Sequence, residues 1–315
     1  MSLNTGSRAV VCQKTQLNKA YTVTRITCWW LVPIQHTLWF FKNNNSPAEE
    51  EEEEKSPIRR FLTFRATMPL AEETAPALMT PALSTAKRAL RSAIKKSLSK
   101  LPAELVQSQS QTCLQTFLSL PEYNAASRLS VFLSMPKKEI DTSGIVEHAF
   151  QHGKHVYVPY IHRHSTGHPV SAPTSSVSAP SSLMDMLSLS SLEDYRSLQP
   201  DSWGIPTIPK DSASQRADSL KEETGLDLIV MPGVAFDESF KRCGHGKGYY
   251  DYYLARYHQS RTDGRMPVLV ALALKEQVLE GDQVPTDVSD WFVDIIVTGD
   301  GRCLRRSREE QVVLN

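Results

Sequence analysis

Leu226-Asp227-Leu228-Ile229-Val230-Met231, reading LDLIVM and stopped by Pro232-Gly233, is the stretch on which the fold turns. It is continuous, partly β-branched and too short for a helix of ordinary length, so it reads as a strand buried on both faces. Working outward, Leu129–Met135 (LSVFLSM), Val156–Ile161, Val268–Leu274 (VLVALAL) and Phe292–Thr298 (FVDIIVT) read as further strands, with Pro159 expected to interrupt the second. Helices are expected between them. Ser84–Leu101 carries Leu90, Ile94 and Leu98 at four-residue spacing, with Ser84 or Thr85 as cap. Lys87, Arg88, Arg91, Lys95 and Lys96 are placed on its other faces. Glu104–Leu118, Gly144–Gln151 and Lys247–His258 complete the set. Strands alternating with helices predict an α/β fold: a three-layer, Rossmann-like sandwich with a mostly parallel central sheet flanked by helices. Ligands of such sheets bind in the loops at the carboxyl ends of strands.

The flanking regions have different compositions. From Met1 to Pro47 there is no acidic residue, while Arg8, Lys14, Lys19, Arg25 and Lys42 are basic, a pattern similar to an organellar transit peptide. An unstructured extension, or sequence upstream of a start at Met68, accounts for it equally well. The acidic run Glu49–Glu54 and the Pro/Ala-rich stretch Pro69–Pro81 read as solvated linker. A Ser/Pro-rich stretch at about 165–191 reads as a surface insertion, with His162, His164 and His168 at its start as solvated residues. The expected organisation is therefore an N-terminal extension over 1–83, one domain over 84–300 and a tail over 301–315. The most apolar N-terminal run, Ile26–Phe41, is short of a membrane span and broken by Pro33, Gln35, His36 and Thr37. Net charge is +0 with 35 basic and 35 acidic residues, which gives no reason to expect nucleic acid or membrane as partner. Five scattered cysteines form no CxxC pair and point to a reducing compartment, with Cys243 as a small filler beside the glycine loop.

Downstream of LDLIVM the chain reaches Gly244-His245-Gly246-Lys247-Gly248 and enters a helix. Glycines admit an anion close to the backbone, and a helix N-terminus adds favourable dipole charge. Lys247 adds a point charge suited to phosphate, and Arg242 a fork just upstream. The spacing fits neither a P-loop nor a dinucleotide fingerprint. Asp251 lies one turn beyond Lys247, and Asp287, Asp290 and Asp294 lie near the last strand. A carboxylate from each group meets the needs of Mg²⁺ beside phosphates.

The run MPGVAFDESFKRCGHGKGYYDYYL (Met231–Leu254) resembles the signature of the 5-formyltetrahydrofolate cyclo-ligase family. In the same order as in that family stand AKRALR (Ala86–Arg91), LSVFLSM with Glu139-Ile140, WGIP (Trp203–Pro206), LALKEQ (Leu272–Gln277) and VPTDVSDWFVD (Val284–Asp294). The resemblance covers Thr85 to Thr298, apart from the Ser/Pro stretch. It implies ATP- and Mg²⁺-dependent conversion of 5-formyltetrahydrofolate to 5,10-methenyltetrahydrofolate, with ADP and phosphate released. It further implies that Lys87, Arg88, Arg91, Arg242, Gly244, His245, Gly246, Lys247, Gly248, Tyr249 and Tyr250 bind ATP, with Lys247 and Arg242 catalytic. Leu133, Met135, Glu139, Trp203 and Tyr249 would surround the folate, and Asp251 and Asp290 would hold the metal. His245 stands where relatives commonly have Arg or Tyr, and Lys137-Lys138 lengthens the loop before Glu139. A cytoplasmic monomer acting on small molecules is expected, with mitochondria admitted by the N-terminal extension. A small-molecule kinase using the same loop, and a non-catalytic folate binder, are the rival readings.

Overall fold

Thr80 opens the first helix. Its hydroxyl accepts the N–H of Leu83, and Pro81 takes the first helical position, where a missing N–H costs nothing. The computed structural model describes residues 80–136, 139–163 and 182–307, and all statements of structure refer to these. Helix α1 (Pro81–Leu98) thus begins one turn before the cap expected at Ser84 or Thr85. Leu90, Ile94 and Leu98 form the packed stripe as expected, but Lys87 continues it one turn earlier and is only 5% exposed. A lysine placed by spacing off the apolar stripe is therefore inside the molecule, which requires a partner for its charge.

The helices α2 (Ala103–Leu118), α3 (Pro121–Ala125) and α4 (Ser143–Gln151) bracket strand β1 (Arg128–Val131). Strand β2 (His155–Arg163) runs parallel to β1. Pro159 does not interrupt it: pairing with β1 ends at Tyr157, and beyond that β2 pairs on one side only, with β3 (Ser182–Ser188). Strand β3 is a correction to the reading of 165–191 as a surface insertion throughout. Leu183, Met184, Met186 and Leu187 are buried, and Ser182–Ser188 of that stretch form a sheet strand. His162 is likewise in β2, with its Nε2 2.7 Å from Asp185 Oδ2. His164 and His168 lie outside the described residues.

Short elements follow: α5 (Leu192–Ser197), β4 (Gln199–Pro200), β5 (Pro206–Thr207) and α6 (Lys210–Ala213). Next come β6 (Leu228–Met231), β7 (Ala235–Asp237), β8 (Arg242–Cys243), α7 (Tyr249–Ser260), β9 (Val268–Ala273), β10 (Val278–Leu279), β11 (Ile295–Thr298) and β12 (Cys303–Arg305). The expected strand over Phe292–Thr298 is shortened to β11. The stretch read as a C-terminal tail contributes β12, antiparallel to β11.

The seven-stranded sheet has the order β12-β11-β9-β6-β1-β2-β3, with every internal pair parallel and an antiparallel strand at each edge. Strand β6 is buried at all four positions. Leu228 and Val230 face a core shared with Phe117, Ile145 and Val146 of α2 and α4, whereas Ile229 and Met231 face Tyr253, Leu254 and Tyr257 of α7. Two apolar cores on opposite faces of one sheet make the three-layer α/β sandwich. From β1 the chain moves to β2 on one side, then returns to β6 on the other. This reversal opens a crevice at the carboxyl ends of β1 and β6, the place where doubly wound sheets bind ligands.

Candidate active site

Both walls of that crevice come from loops whose shape is set by local chemistry. After β1 the chain leaves the sheet at Phe132, four residues before the expected strand end. Phe132 and Leu133 bury their side chains in the core, and the loop continues to Glu139. Glu139 Oε2 accepts the Met135 N–H at 3.2 Å, closing the loop on itself. Burial raises the Glu139 pKa, opposed in part by that hydrogen bond. Gly204 sits against Pro136, so the loop bearing Trp203 lies beside this wall, and Trp203 is 69% exposed.

After β6 the chain forms the β7–β8 hairpin and enters the glycine loop. Gly246 has φ 92°, and a Cβ there would come within 3.2 Å of the Arg91 guanidinium. Gly248 has φ 67° and is the N-cap of α7, with no side chain spent on capping. The first amides of α7 therefore have no intrahelical acceptor, which is what an anion needs. Arg91 reaches from α1 to donate its Nε–H to Gly244 O at 2.7 Å, so α1 and the loop form one surface. Lys247 is exposed and has no ion-pair partner among the described residues.

The remaining charges are paired. Arg242 is 5% exposed, and its Nη2 lies 2.7 Å from Asp251 Oδ1, which also accepts the Trp291 N–H at 3.2 Å. Its Nε and the Tyr250 hydroxyl are buried with no hydrogen-bond partner among the described residues, and Tyr250 lies under the guanidinium. Lys87 pairs with Asp290 and, at 3.4 Å, with Asp287. Asp290 Oδ2 also accepts the Asp287 N–H at 2.7 Å. Burial raises the Asp290 pKa; its bonds to Lys87 and Asp287 oppose this, and the negative charge of Asp251 adds to it. The two carboxylates therefore stand in each other's field. His245 lies 3.9 Å from Glu139 Oε1. Its pKa is lowered by desolvation first, then by Lys95, Arg91 and Arg242, all of which disfavour the charged imidazole. Burial likewise pushes the Cys243 thiol up, in keeping with a filler role.

The crevice thus gathers Arg91, Arg242, Asp251, Lys87, Asp290, the glycine loop with Lys247, and the His245–Glu139 contact. Arg88, one turn before Arg91 on α1, is exposed, and Leu133 is buried in the core. Asp294 is turned elsewhere, its Oδ2 accepting the Leu269 N–H at 2.8 Å. Asp287 was one of three sequence candidates, and only its geometry distinguishes it as the second partner of Lys87. Among the described residues no group of three His, Cys, Asp or Glu is close enough to hold a metal ion unaided. Two carboxylates in mutual range still fit Mg²⁺ carried in by phosphates, since that ion takes one or two carboxylates and keeps other oxygens.

These features define a class: an α/β protein with a glycine loop at a helix N-terminus, and cations paired with carboxylates, at its topological switch point, an arrangement suited to phosphoryl chemistry. A family model described as the 5-formyltetrahydrofolate cyclo-ligase family matches residues 83–299, and the chain belongs to that family. The probable 5-formyltetrahydrofolate cyclo-ligase of Schizosaccharomyces pombe is 33% identical over 220 residues, covering 69% of this chain and 96% of the relative. The mouse 5-formyltetrahydrofolate cyclo-ligase is 34% identical over 218 residues, covering 69% and 96%. The Arabidopsis thaliana protein named 5-formyltetrahydrofolate cyclo-ligase, mitochondrial, is 32% identical over 225 residues, covering 68% and 74%.

Proposed function

We infer that the chain is an ATP-dependent ligase that closes 5-formyltetrahydrofolate to 5,10-methenyltetrahydrofolate in the crevice between the β1 and β6 loops. The observation that carries the assignment of the site is the joining of α1 to the glycine loop through Arg91 and Gly244 O, at the switch point of the sheet. A formamide oxygen is a poor leaving group. Transfer of the γ-phosphoryl group to it breaks the β–γ bridging P–O bond, releases ADP and leaves an imidate-like phosphate. N10 then attacks the formyl carbon, the C–O bond breaks, and inorganic phosphate departs with the former formyl oxygen and takes up the N10 proton.

Such a step asks the protein mainly for positioning and neutralisation of charge. The free amides of α7, Lys247 and Arg242 receive the phosphates. Gly246 lets the nucleotide approach Arg91, and Tyr249 and Tyr250 close the loop. Asp251 and Asp290 would hold Mg²⁺ together with phosphate oxygens, and the ion would neutralise developing negative charge. Metal on the carboxylates and phosphate on the cations would replace the ion pairs Arg242–Asp251 and Lys87–Asp290 partner for partner, so little charge is left uncompensated. Met135, Glu139, Trp203 and Tyr249 line the folate side, and the exposed Trp203 ring offers a stacking surface to a pterin.

The domain from α1 through β12 carries the activity, and one chain supplies every side chain of the site, so a monomer suffices. The acid-free segment Met1–Pro47 and the likeness to a plant relative named mitochondrial favour a mitochondrial form, with Met68 as the start of a cytosolic one. No helix among the described residues is long and apolar enough to cross a membrane. The test is spectrophotometric. Purified protein with 5-formyltetrahydrofolate, ATP and Mg²⁺ should produce the methenyltetrahydrofolate absorbance, one ADP per product, and nothing when any one component is left out. ATP hydrolysis indifferent to the folate would overturn the reading.

A further inference from the structure

Behind the phosphate crevice lies a fully buried acid that the site itself does not touch. Asp237 closes β7 and is 0% exposed. Its Oδ1 accepts the N–H groups of Ser239 at 3.1 Å and Lys241 at 3.0 Å. Its Oδ2 accepts those of Gln283 at 3.1 Å and Val284 at 2.8 Å. The carboxylate is thus satisfied by backbone donors from two segments far apart in sequence. One is the β7–β8 turn, which delivers Arg242 immediately after Lys241. The other is the strand-free segment that runs on from Val284 to Asp287 and Asp290.

Phe240 makes a second link between the same two segments. It is the sole non-glycine residue with positive φ among those described, at 62°, a region that bulky side chains rarely occupy. Its N–H donates to Asp237 O and its carbonyl accepts from Val293 N–H, both at 3.0 Å. The ring is buried in the core that also holds Tyr253 and Val293, so packing holds the turn in its strained form. Glu238 accepting the Gly281 N–H at 2.9 Å ties the segments a third time, at the surface.

We propose that Asp237 is a positioning residue for the ATP-dependent step. It fixes the separation between the Arg242–Asp251 pair on one segment and the Lys87–Asp290 pair on the other. This rests on the reading of those four residues as the nucleotide site. A phosphate cleft made of opposed charges on separate segments keeps its width only if the segments cannot drift, and small misplacements are costly in phosphoryl transfer. Replacing Asp237 by Asn keeps the shape but turns donors against the N–H groups facing one of its oxygens.

The experiment uses the full chain with Asp237→Asn, measuring KM for ATP, the Kd for 5-formyltetrahydrofolate by tryptophan fluorescence, kcat and circular dichroism. The expected result is an ATP KM raised by about tenfold or more, with folate affinity within about twofold of the parent. If that variant does not fold, Phe240→Gly takes its place. Glycine accepts the φ without strain and removes only the ring that holds the turn, and the ATP KM should rise several-fold. A folded variant with unchanged ATP KM, or one that loses both substrates in equal proportion, overturns the proposal. Arg242→Ala separates the two levels of inference. If it too leaves ATP binding unchanged, the nucleotide-site reading falls; if it weakens ATP while Asp237→Asn does not, the clamp alone falls.

Discussion

Lys247 differs from the other basic groups of the crevice in being exposed and unpaired among the described residues, whereas Lys87 and Arg242 are buried against carboxylates. A side chain that stabilises nothing in the free protein can be removed at little structural cost. Lys247→Ala is therefore expected to leave the melting temperature within about 1–2 °C, because surface substitutions of this kind change stability by roughly 0.5 kcal/mol or less. The same change should lower kcat by about 10²-fold or more, the scale of a lost electrostatic contact to a transferring group. Normal turnover with normal melting would remove Lys247 from the phosphate site. His245 invites no such expectation. Desolvation and three neighbouring cations lower its pKa, which disfavours a charged imidazole in the free protein. That shift was unreadable from the sequence, since it depends on the folded surroundings of the ring and on Lys95 and Arg91 arriving from α1. Asp237 was equally hidden: an Asp two residues before a Ser is an ordinary turn signal, and only the approach of Gln283 and Val284 reveals its second pair of bonds.

At the scale of elements, β6 and β9 were legible because both faces of each are buried, and a continuous apolar run has few other readings. The sequence misled where burial is one-sided or a cap is unusual. LSVFLSM reads as one strand, yet only its first half is paired, because Phe132 and Leu133 belong to the core beneath a loop. Strand β3 was lost in serines. Its apolar residues are few, but Met184 and Met186 enter one core while Leu183 and Leu187 are buried on the other side. The connection after β3 is held by a different device. Arg216 donates Nη1 and Nη2 to Asp194 at 2.6 and 2.7 Å, and Ser190 donates both its N–H and its hydroxyl to the same carboxylate. Arg216, then the other bonds, hold the Asp194 pKa at about 2. A depressed carboxylate pKa means that the unfolded chain binds the proton more readily. The stabilisation is full above the ordinary Asp pKa and is lost as pH falls toward about 2. Arg216→Ala should thus lower stability at neutral pH by roughly 1–3 kcal/mol, the range for charge-assisted hydrogen bonds. Below about pH 3 the difference between variant and parent should shrink, as seen in urea midpoints measured across that range. A difference independent of pH would show that packing of the arginine stem, not the ion pair, is responsible.

The whole molecule closes through α1. This helix carries two of the site's cations, yet touches Gly244, Asp287 and Asp290 across most of the length of the domain. Its apolar packing runs through Leu90, Ile94 and Leu98, which meet Val234, Ala235, Cys243 and Val284, and Leu98 also packs against the larger core around Phe117. The buried ion pair of Lys87 adds to what docks it. Breaking a buried pair by removing one partner costs about 3–5 kcal/mol, because the remaining charge is left without compensation. Lys87→Met preserves the apolar stem and removes only the charge. We expect the amides of Pro81–Leu98 to exchange with solvent about 10²-fold faster or more, while those of β6 and β9 slow or quicken only with global stability. Mg²⁺ with ATP should slow exchange in α1 of the parent chain, since phosphate would take over the role that Asp290 plays for Lys87 and Mg²⁺ the role that Lys87 plays for Asp290. In the Lys87→Met variant the nucleotide should protect α1 far less, because Arg91 alone would remain to join helix and loop. Equal protection in parent and variant would place the nucleotide away from α1. Protection confined to the glycine loop in both would mean that the helix serves the fold but not the substrate. The comparison thus separates the two tasks that a single buried lysine is argued to perform.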